Sequence, residues 1–297
     1  MIKVRGVQKA FDSFVALDNI NITVGRGTVY GLVGPNGAGK STIIRHLTGI
    51  YKQDSGEILI DGQTVFENAP LKARIASIPD DLYFFAQAST KDMMRFYRNI
   101  YSRFDMSRYE RLKDVFSIDE RRPIKRLSKG MQKQSAFWLS ICMRPDVLIL
   151  DEPVDGLDPV MRRQVWSLLM GDVAEYGTTV LVSSHNLREL EDVCDHVGVM
   201  NKGKMLLERS LSDLQENIVK IQVALPDGAM LPAGLDIINS SSAGRLTTII
   251  VRGTSRDVAA SVATANPVFF DLLPLSLEEI FVYELGGADY AVKDIIL

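Results

Sequence analysis

Cysteine is nearly absent. Cys142 and Cys194 are the only two in 297 residues, and each lies in an apolar stretch. They read as buried thiols suited to a reducing cytosol, and no Cys or His spacing matches a metal-ligand set. Long apolar runs are missing too. None approaches the roughly 18 uncharged apolar residues that mark a membrane-spanning helix, so any spanning of a membrane falls to another chain. Nor is there an excess of charge of one sign. Lysine and arginine total 34 against 37 acids, a net charge of −3, and nothing points to nucleic acid as a partner. The opening Met1-Ile2-Lys3-Val4-Arg5 does not read as a secretory signal. What remains is an ordinary balance of 46% hydrophobic and 24% charged residues, with length for one large or two smaller domains.

Against that background one stretch stands out. Gly34-Pro35-Asn36-Gly37-Ala38-Gly39-Lys40-Ser41-Thr42 fits G-x-x-x-x-G-K-[ST], the phosphate-binding P-loop. Val29-Tyr30-Gly31-Leu32-Val33 before it reads as a buried strand, and Thr42 to Leu47 after it can be helical, which is the context the motif needs. The glycines let successive N–H groups converge on one anion, and the helix N-terminus adds partial positive charge. Lys40 offers a point charge to the outer phosphates of a nucleotide, and Ser41 a hydroxyl to magnesium.

Residues 1–33 read as strands, with alternation at Ile2–Arg5 and Ile20–Val24. Phe11 lies just upstream of the loop, either as a core residue or as an aromatic face on which adenine stacks. Residues 56–65 carry a hairpin signal, with Asp61-Gly62 suited to a tight primed turn. From about 83 to 141 the spacing becomes helical, so a helical insertion interrupts the strand-rich core. Val147-Leu148-Ile149-Leu150 then returns to strand and ends in Asp151-Glu152. Acids at the C-terminal end of a buried parallel strand sit where open α/β sheets bind ligands. Asp151 is placed to hold magnesium, and Glu152 to act as base toward a water. The strand at 178–182 runs into Ser183-Ser184-His185, where His185 can reach a γ-phosphate or the attacking water. Asn186 to Asp195 reads as a helix, and 197–200 with 204–207 as a hairpin about an Asn-Lys-Gly turn.

Taken in order, Phe11, the P-loop, Leu127-Ser128-Lys129-Gly130-Met131-Gln132, Asp151-Glu152, Asp155-Gly156-Leu157-Asp158-Pro159 and His185 resemble the motifs of an ABC-transporter ATPase subunit, over residues 1 to about 215. The resemblance implies an α/β P-loop ATPase core with an antiparallel β subdomain and a helical subdomain at about 83–141. It implies ATP and Mg2+, and two cassettes, identical or paralogous, clasping ATP head to tail. Lys40 and Ser41 of one copy then face Ser128 and Gly130 of the other, with Asp158 near the seam, Glu152 polarising the water and His185 holding the γ-phosphate. It implies a separate integral-membrane permease and a place on the cytoplasmic face of the membrane.

Two departures stand against the family pattern. The usual signature Leu-Ser-Gly-Gly-Gln has Lys129 for its first Gly and Met131 for its Gln. Where the family carries a glutamine that touches magnesium, this chain has Ile78-Pro79-Asp80-Asp81, so Asp80 is expected at that position as an oxygen ligand. These features, with Leu277-Glu278-Glu279-Ile280-Phe281 near the end, resemble the ATPases of ABC-2-type bacterial exporters. Residues 216–297 read as a small α+β appendage: strands at 219–223, 247–251 and 268–270, helices at 256–264 and 276–285. A non-transport ABC ATPase of the translation or repair type is the alternative. The single cassette and the short insertion speak against it.

Overall fold

In the computed structural model, which describes residues 1–226 and 228–285, the alternation near the N-terminus becomes a pair of long antiparallel strands. β1 (Ile2–Phe11) and β2 (Phe14–Val24) pair with Ile2 opposite Val24 and Val4 opposite Ile22. β3 (Val29–Val33), buried at every residue, leads through the P-loop into α1 (Lys40–Leu47). β4 (Ser55–Ile60) and β5 (Gln63–Thr64) form the expected hairpin. Its turn residues Asp61 and Gly62 have φ of 50° and 73°, the left-handed pair that a primed turn requires.

The chain continues through α2 (Ala69–Lys72), β6 (Ile75–Ile78), α3 (Thr90–Ile100), α4 (Met106–Phe116), α5 (Lys129–Cys142), β7 (Val147–Asp151) and α6 (Pro159–Tyr176). It then forms β8 (Thr179–Ser184), β9 (His196–Asn201) and β10 (Lys204–Ser210). One sheet has the order β2-β1-β4-β5, the other β10-β9-β3-β8-β7-β6. In the second sheet β3, β6, β7, β8 and β9 run parallel to one another. All carry apolar runs, as strands covered on both faces must. Ile43 and Leu47 of α1 pack in one cluster with Ile22 and Ile60 of the antiparallel sheet and Leu32, Ile149 and Leu181 of the parallel one. α1 is thereby held by both layers, which places the loop at its N-terminus. This is the α/β P-loop ATPase architecture expected from the motifs.

The helical insertion is anchored by aromatic packing. Trp138 of α5 stacks on Tyr109 of α4, with ring centroids 4.4 Å apart and planes 13° from parallel, and its Nε1–H donates to the Tyr109 carbonyl at 3.0 Å. Arg108 of α4 donates to the Ile141 carbonyl at the end of α5 and to the carboxylate of Asp172 on α6. That ion pair is buried, with side-chain exposures of 9% and 6%. α6 itself is not anticipated by the motif reading. Its buried stripe of Val165, Trp166 and Leu169 is completed by Asp172, a charge, so apolar periodicity alone understates it.

Two compact units result: Met1–Asn186 with Val193–Glu208, and Leu187–Asp192 with the residues from Arg209 on. The second contains α7 (Leu211–Glu216), β11 (Ile218–Ala224), β12 (Asp236–Ala243), β13 (Leu246–Arg252), α8 (Ser255–Ala263), β14 (Phe269–Leu273) and α9 (Leu277–Leu285). Its sheet order is β12-β13-β11-β14, and Val258 and Val262 of α8 cover Ile221, Ile249 and Val251. β12, rich in serine and exposed along most of its length, is an edge strand that the sequence pattern does not signal.

Asn186–Asp195, expected to be a helix, does not form one. Only Leu187–Glu189 make a 3-10 turn, followed by irregular turns. The physical reason is competition for the flanking groups. Asp195 exchanges both backbone and side-chain bonds with Val29, its N–H donating to the Val29 carbonyl and its carboxylate accepting from the Val29 N–H at 2.7 Å. Arg188 donates twice to Glu278, and Glu191 accepts from the N–H of Leu277 at the start of α9. These anchors pull the segment out of helical register.

A stability test follows from the buried pair. Arg108→Met or Asp172→Leu alone is expected to cost about 3–5 kcal/mol in urea unfolding, because each leaves a buried charge uncompensated. The double variant Arg108→Met/Asp172→Leu is expected to recover most of that loss. Single variants as stable as the parent protein would show that the pair does not tie α4 to α6.

Candidate nucleotide site

The P-loop glycines are required by geometry at two positions. A Cβ on Gly34 would lie 2.2 Å from the Met200 carbonyl oxygen, a clash with backbone. Gly39 caps α1 with φ 106°, outside what an L side chain adopts. Between them the loop closes with the Ala38 N–H donating to the Pro35 carbonyl. The first turn of α1, where Lys40, Ser41 and Thr42 lie, presents N–H groups that a helix leaves without partners in its own ladder, so the end of α1 is built for an anion. Lys40 is buried, and its ammonium turns back to the Gly34 carbonyl at 2.5 Å.

β7 and β8 bring the acids to the same end of the sheet as the loop. Asp151 pairs in register with Ser183, whose hydroxyl donates to the Asp151 carboxylate at 2.5 Å. Glu152, the next residue, has φ 46°, the left-handed region that non-glycine residues seldom enter. Its N–H is held by the Ser183 carbonyl at 3.2 Å and the Ser183 hydroxyl at 3.1 Å. That turn aims the Glu152 carboxylate between two partners. Oε1 lies 3.3 Å from Lys40 Nζ, and Oε2 lies 2.9 Å from His185 Nδ1. The hydrogen bond to Glu152 raises the His185 pKa above its ordinary value, with partial burial opposing. Asp155 joins this group: ligand atoms of Glu152, Asp155 and His185 lie within 4.8 Å of one another. Lys40, the Asp151-Glu152 pair and His185, from three separate stretches of the sequence, thus converge.

Phe11 ends β1 and is 39% exposed, so it is not a core residue. It meets Tyr51 edge-on at 5.4 Å, and Lys9 Nζ stands over its ring, 5.5 Å from the centroid. Ser128 caps α5, accepting from the Met131 N–H at 3.3 Å. Gly130, in the first turn of α5, is packed on its own chain, where a Cβ would lie 2.7 Å from the Gly156 carbonyl oxygen. Asp158 caps α6, its Oδ1 accepting from the Val160 and Met161 N–H groups at 3.0 Å each. Asp80, with a side chain 56% exposed, sits 3.4 Å from Lys133 Nζ. A cleft of about 410 Å³ runs past Asp80, Lys129, Lys133, Asp155 and Gly156.

Three residues enter the site that the motif reading does not assign. Ser183 orients both acids, and its signal was a hydroxyl on the strand before His185. Tyr51 backs Phe11, with no motif to mark it. Lys133 donates to the Glu152 carbonyl at 2.6 Å, and its only signal is a lysine directly after the signature.

A family model described as ABC transporter matches residues 17–155. The ATP-binding protein YtrB of Bacillus subtilis is 32% identical over 288 residues, covering 97% of this chain and 99% of that protein. The lantibiotic transport ATP-binding protein SrtF of Streptococcus pyogenes is 32% identical over 74% of this chain and 95% of its own length. Among solved structures, the ATP-binding subunit of an ABC transporter superposes with a TM-score of 0.67 at 26% identity, covering 72% of this chain and 92% of that one. No helix among the described residues is long and apolar enough to cross a membrane. With a relative 32% identical and matched along almost its entire length, the chain belongs to the ATP-binding proteins of ABC transporters.

Proposed function

We propose that the chain is the ATP-hydrolysing motor of an exporter, acting through a second cassette and a separate membrane permease. ABC ATP-binding subunits work with permease components and dimerise. The observation that carries the reading for this chain is the Glu152 carboxylate, reached at once by the P-loop lysine and by His185. A carboxylate so placed can take a proton from water beside the phosphates that Lys40 attracts.

In this reading Phe11 stacks the adenine, Gly34 to Thr42 wrap the phosphates, and Lys40 neutralises the outer ones. Glu152 removes a proton from the attacking water as its oxygen bonds to the γ-phosphorus. The bond from that phosphorus to the bridging oxygen breaks, and ADP leaves with the electron pair. His185 holds the Glu152 carboxylate through Nδ1 and steadies the γ-phosphate. Ser128 and Gly130 approach from the second copy, as the positive end of α5, and Asp158 lies near the seam.

The donor set fits magnesium. The Ser41 hydroxyl and the Asp151 carboxylate would hold it as hard oxygen ligands, and Asp80 would offer a third. The chemistry that magnesium supplies when bound is charge neutralisation at the phosphoryl oxygens. Asp151 is kept in position for that by Ser183.

An exporter of a drug, peptide or lipid-like cargo is the transport reading, supported by the match to a lantibiotic transport protein along most of that protein. The chain then works at the cytoplasmic face of the membrane, its permease lying outside this polypeptide.

Three measurements check the proposal. Glu152→Gln is expected to bind ATP with a dissociation constant within a few-fold of the parent, to hydrolyse it at least about 100-fold more slowly, and to sediment as a dimer with ATP. Hydrolysis at the parent rate would remove Glu152 from the role of base. Asp80→Ala is expected to need several-fold more magnesium for half-maximal hydrolysis, and an unchanged magnesium titration would exclude it as a ligand. Purified from membranes in mild detergent, the protein is expected to bring an integral-membrane chain with it. Recovery without one would count against the transport reading.

A further inference from the structure

Lys133 is among the most buried charged residues described, with 7% of its surface exposed. Lysine is almost never buried to that degree unless its ammonium is paired. Here the ammonium has two oxygen partners. One is the backbone carbonyl of Glu152 at 2.6 Å; the other is the Asp80 carboxylate at 3.4 Å. Neither belongs to the helix that carries it, α5.

The Glu152 backbone needs such a partner. At φ 46° it occupies a conformation that persists for a non-glycine residue only when its surroundings over-determine it. On its N-terminal side the peptide is held by Ser183, through carbonyl and hydroxyl. On its C-terminal side the carbonyl is held by Lys133. The two anchors together fix the turn that sends the carboxylate toward Lys40 and His185. Without the second one, the carbonyl loses its charge-assisted bond and the peptide can rotate.

We propose that Lys133 is a positioning residue for Glu152, pinning the left-handed peptide that aims its carboxylate and tying that anchor to Asp80. The inference rests on the reading of Glu152 as base. α5 then carries Ser128 and Gly130 at its N-terminus and, one turn on, the cation that sets the catalytic carboxylate of the same chain. A shift of α5 or a change in the charge at Asp80 is passed to Glu152 through a single ammonium.

The test compares Lys133→Met with Lys133→Arg in the full chain. Lys133→Met is expected to lower kcat for ATP hydrolysis at least about 10-fold, the scale of a misplaced reacting group, while the dissociation constant for a fluorescent ATP analogue stays within about three-fold. Amide hydrogen exchange is expected to quicken across residues 152–157 and to stay unchanged across 34–42. Lys133→Arg, which keeps a cation and donors, is expected to restore most of both. In a Glu152→Gln background Lys133→Met is expected to cause no further loss, because the two act as one unit. A kcat within two-fold of the parent, unaltered exchange at 152–157, or nucleotide affinity falling in step with kcat would each overturn the proposal. If Lys133→Met does not fold, Lys133→Gln takes its place with the same readouts. Should Glu152→Gln hydrolyse ATP at the parent rate, the base assignment fails, and the exchange at 152–157 alone decides whether Lys133 anchors the peptide.

Discussion

The left-handed peptide at Glu152 is the constraint on which the site depends. It follows directly on β7, a strand with no exposed residue, so its position is set by the packing of the parallel sheet. Ser183 on the neighbouring strand fixes its amide, and Lys133 on α5 fixes its carbonyl. The carboxylate then has one direction to point, toward Lys40 and His185. The ion pair with Lys40 links the loop after β3 to the end of β7, and the bond to His185 links both to the end of β8. Three strand ends are thereby joined through one side chain.

The layers beneath exist to hold those ends in place. α1 is packed between the antiparallel and parallel sheets, so the P-loop cannot shift without disturbing a shared core. α5 is clamped by Trp138 on Tyr109 and by Arg108, whose buried bond to Asp172 reaches across to α6. Exposed ion pairs such as Arg5 with Glu57 contribute roughly 0–1 kcal/mol each. The buried Arg108–Asp172 pair differs in kind, since removing one partner strands the other.

Much of this was legible in the residues. The P-loop, the apolar run ending in Asp151-Glu152 and the strand before His185 are short buried segments whose ends are polar, and such ends face a ligand in parallel sheets. The Asp61-Gly62 turn was legible because both residues must be left-handed there. What was not legible depends on tertiary packing. Lys133 reads as one more surface lysine until α5 is docked and its ammonium meets Glu152. Asn186–Asp195 has helical composition, but Asp195 is committed to Val29 and Glu191 to Leu277. β12 is an exposed edge with no apolar alternation, and α6 hides a charge in its buried stripe. The placement of Gly130 against Gly156 adds a reason for glycine that the signature alone did not give.

The mechanism requires that the Glu152 peptide be held ready by Ser183 and Lys133, and that Lys40 serve the outer phosphates. A crystal structure of the protein with a non-hydrolysable ATP analogue tests it most directly. Lys40 is expected to leave Glu152 for the outer phosphates while the Glu152 peptide keeps its left-handed conformation and its bonds to Ser183 and Lys133. A Glu152 that stays paired with Lys40, or whose peptide flips out of the left-handed region, would contradict it.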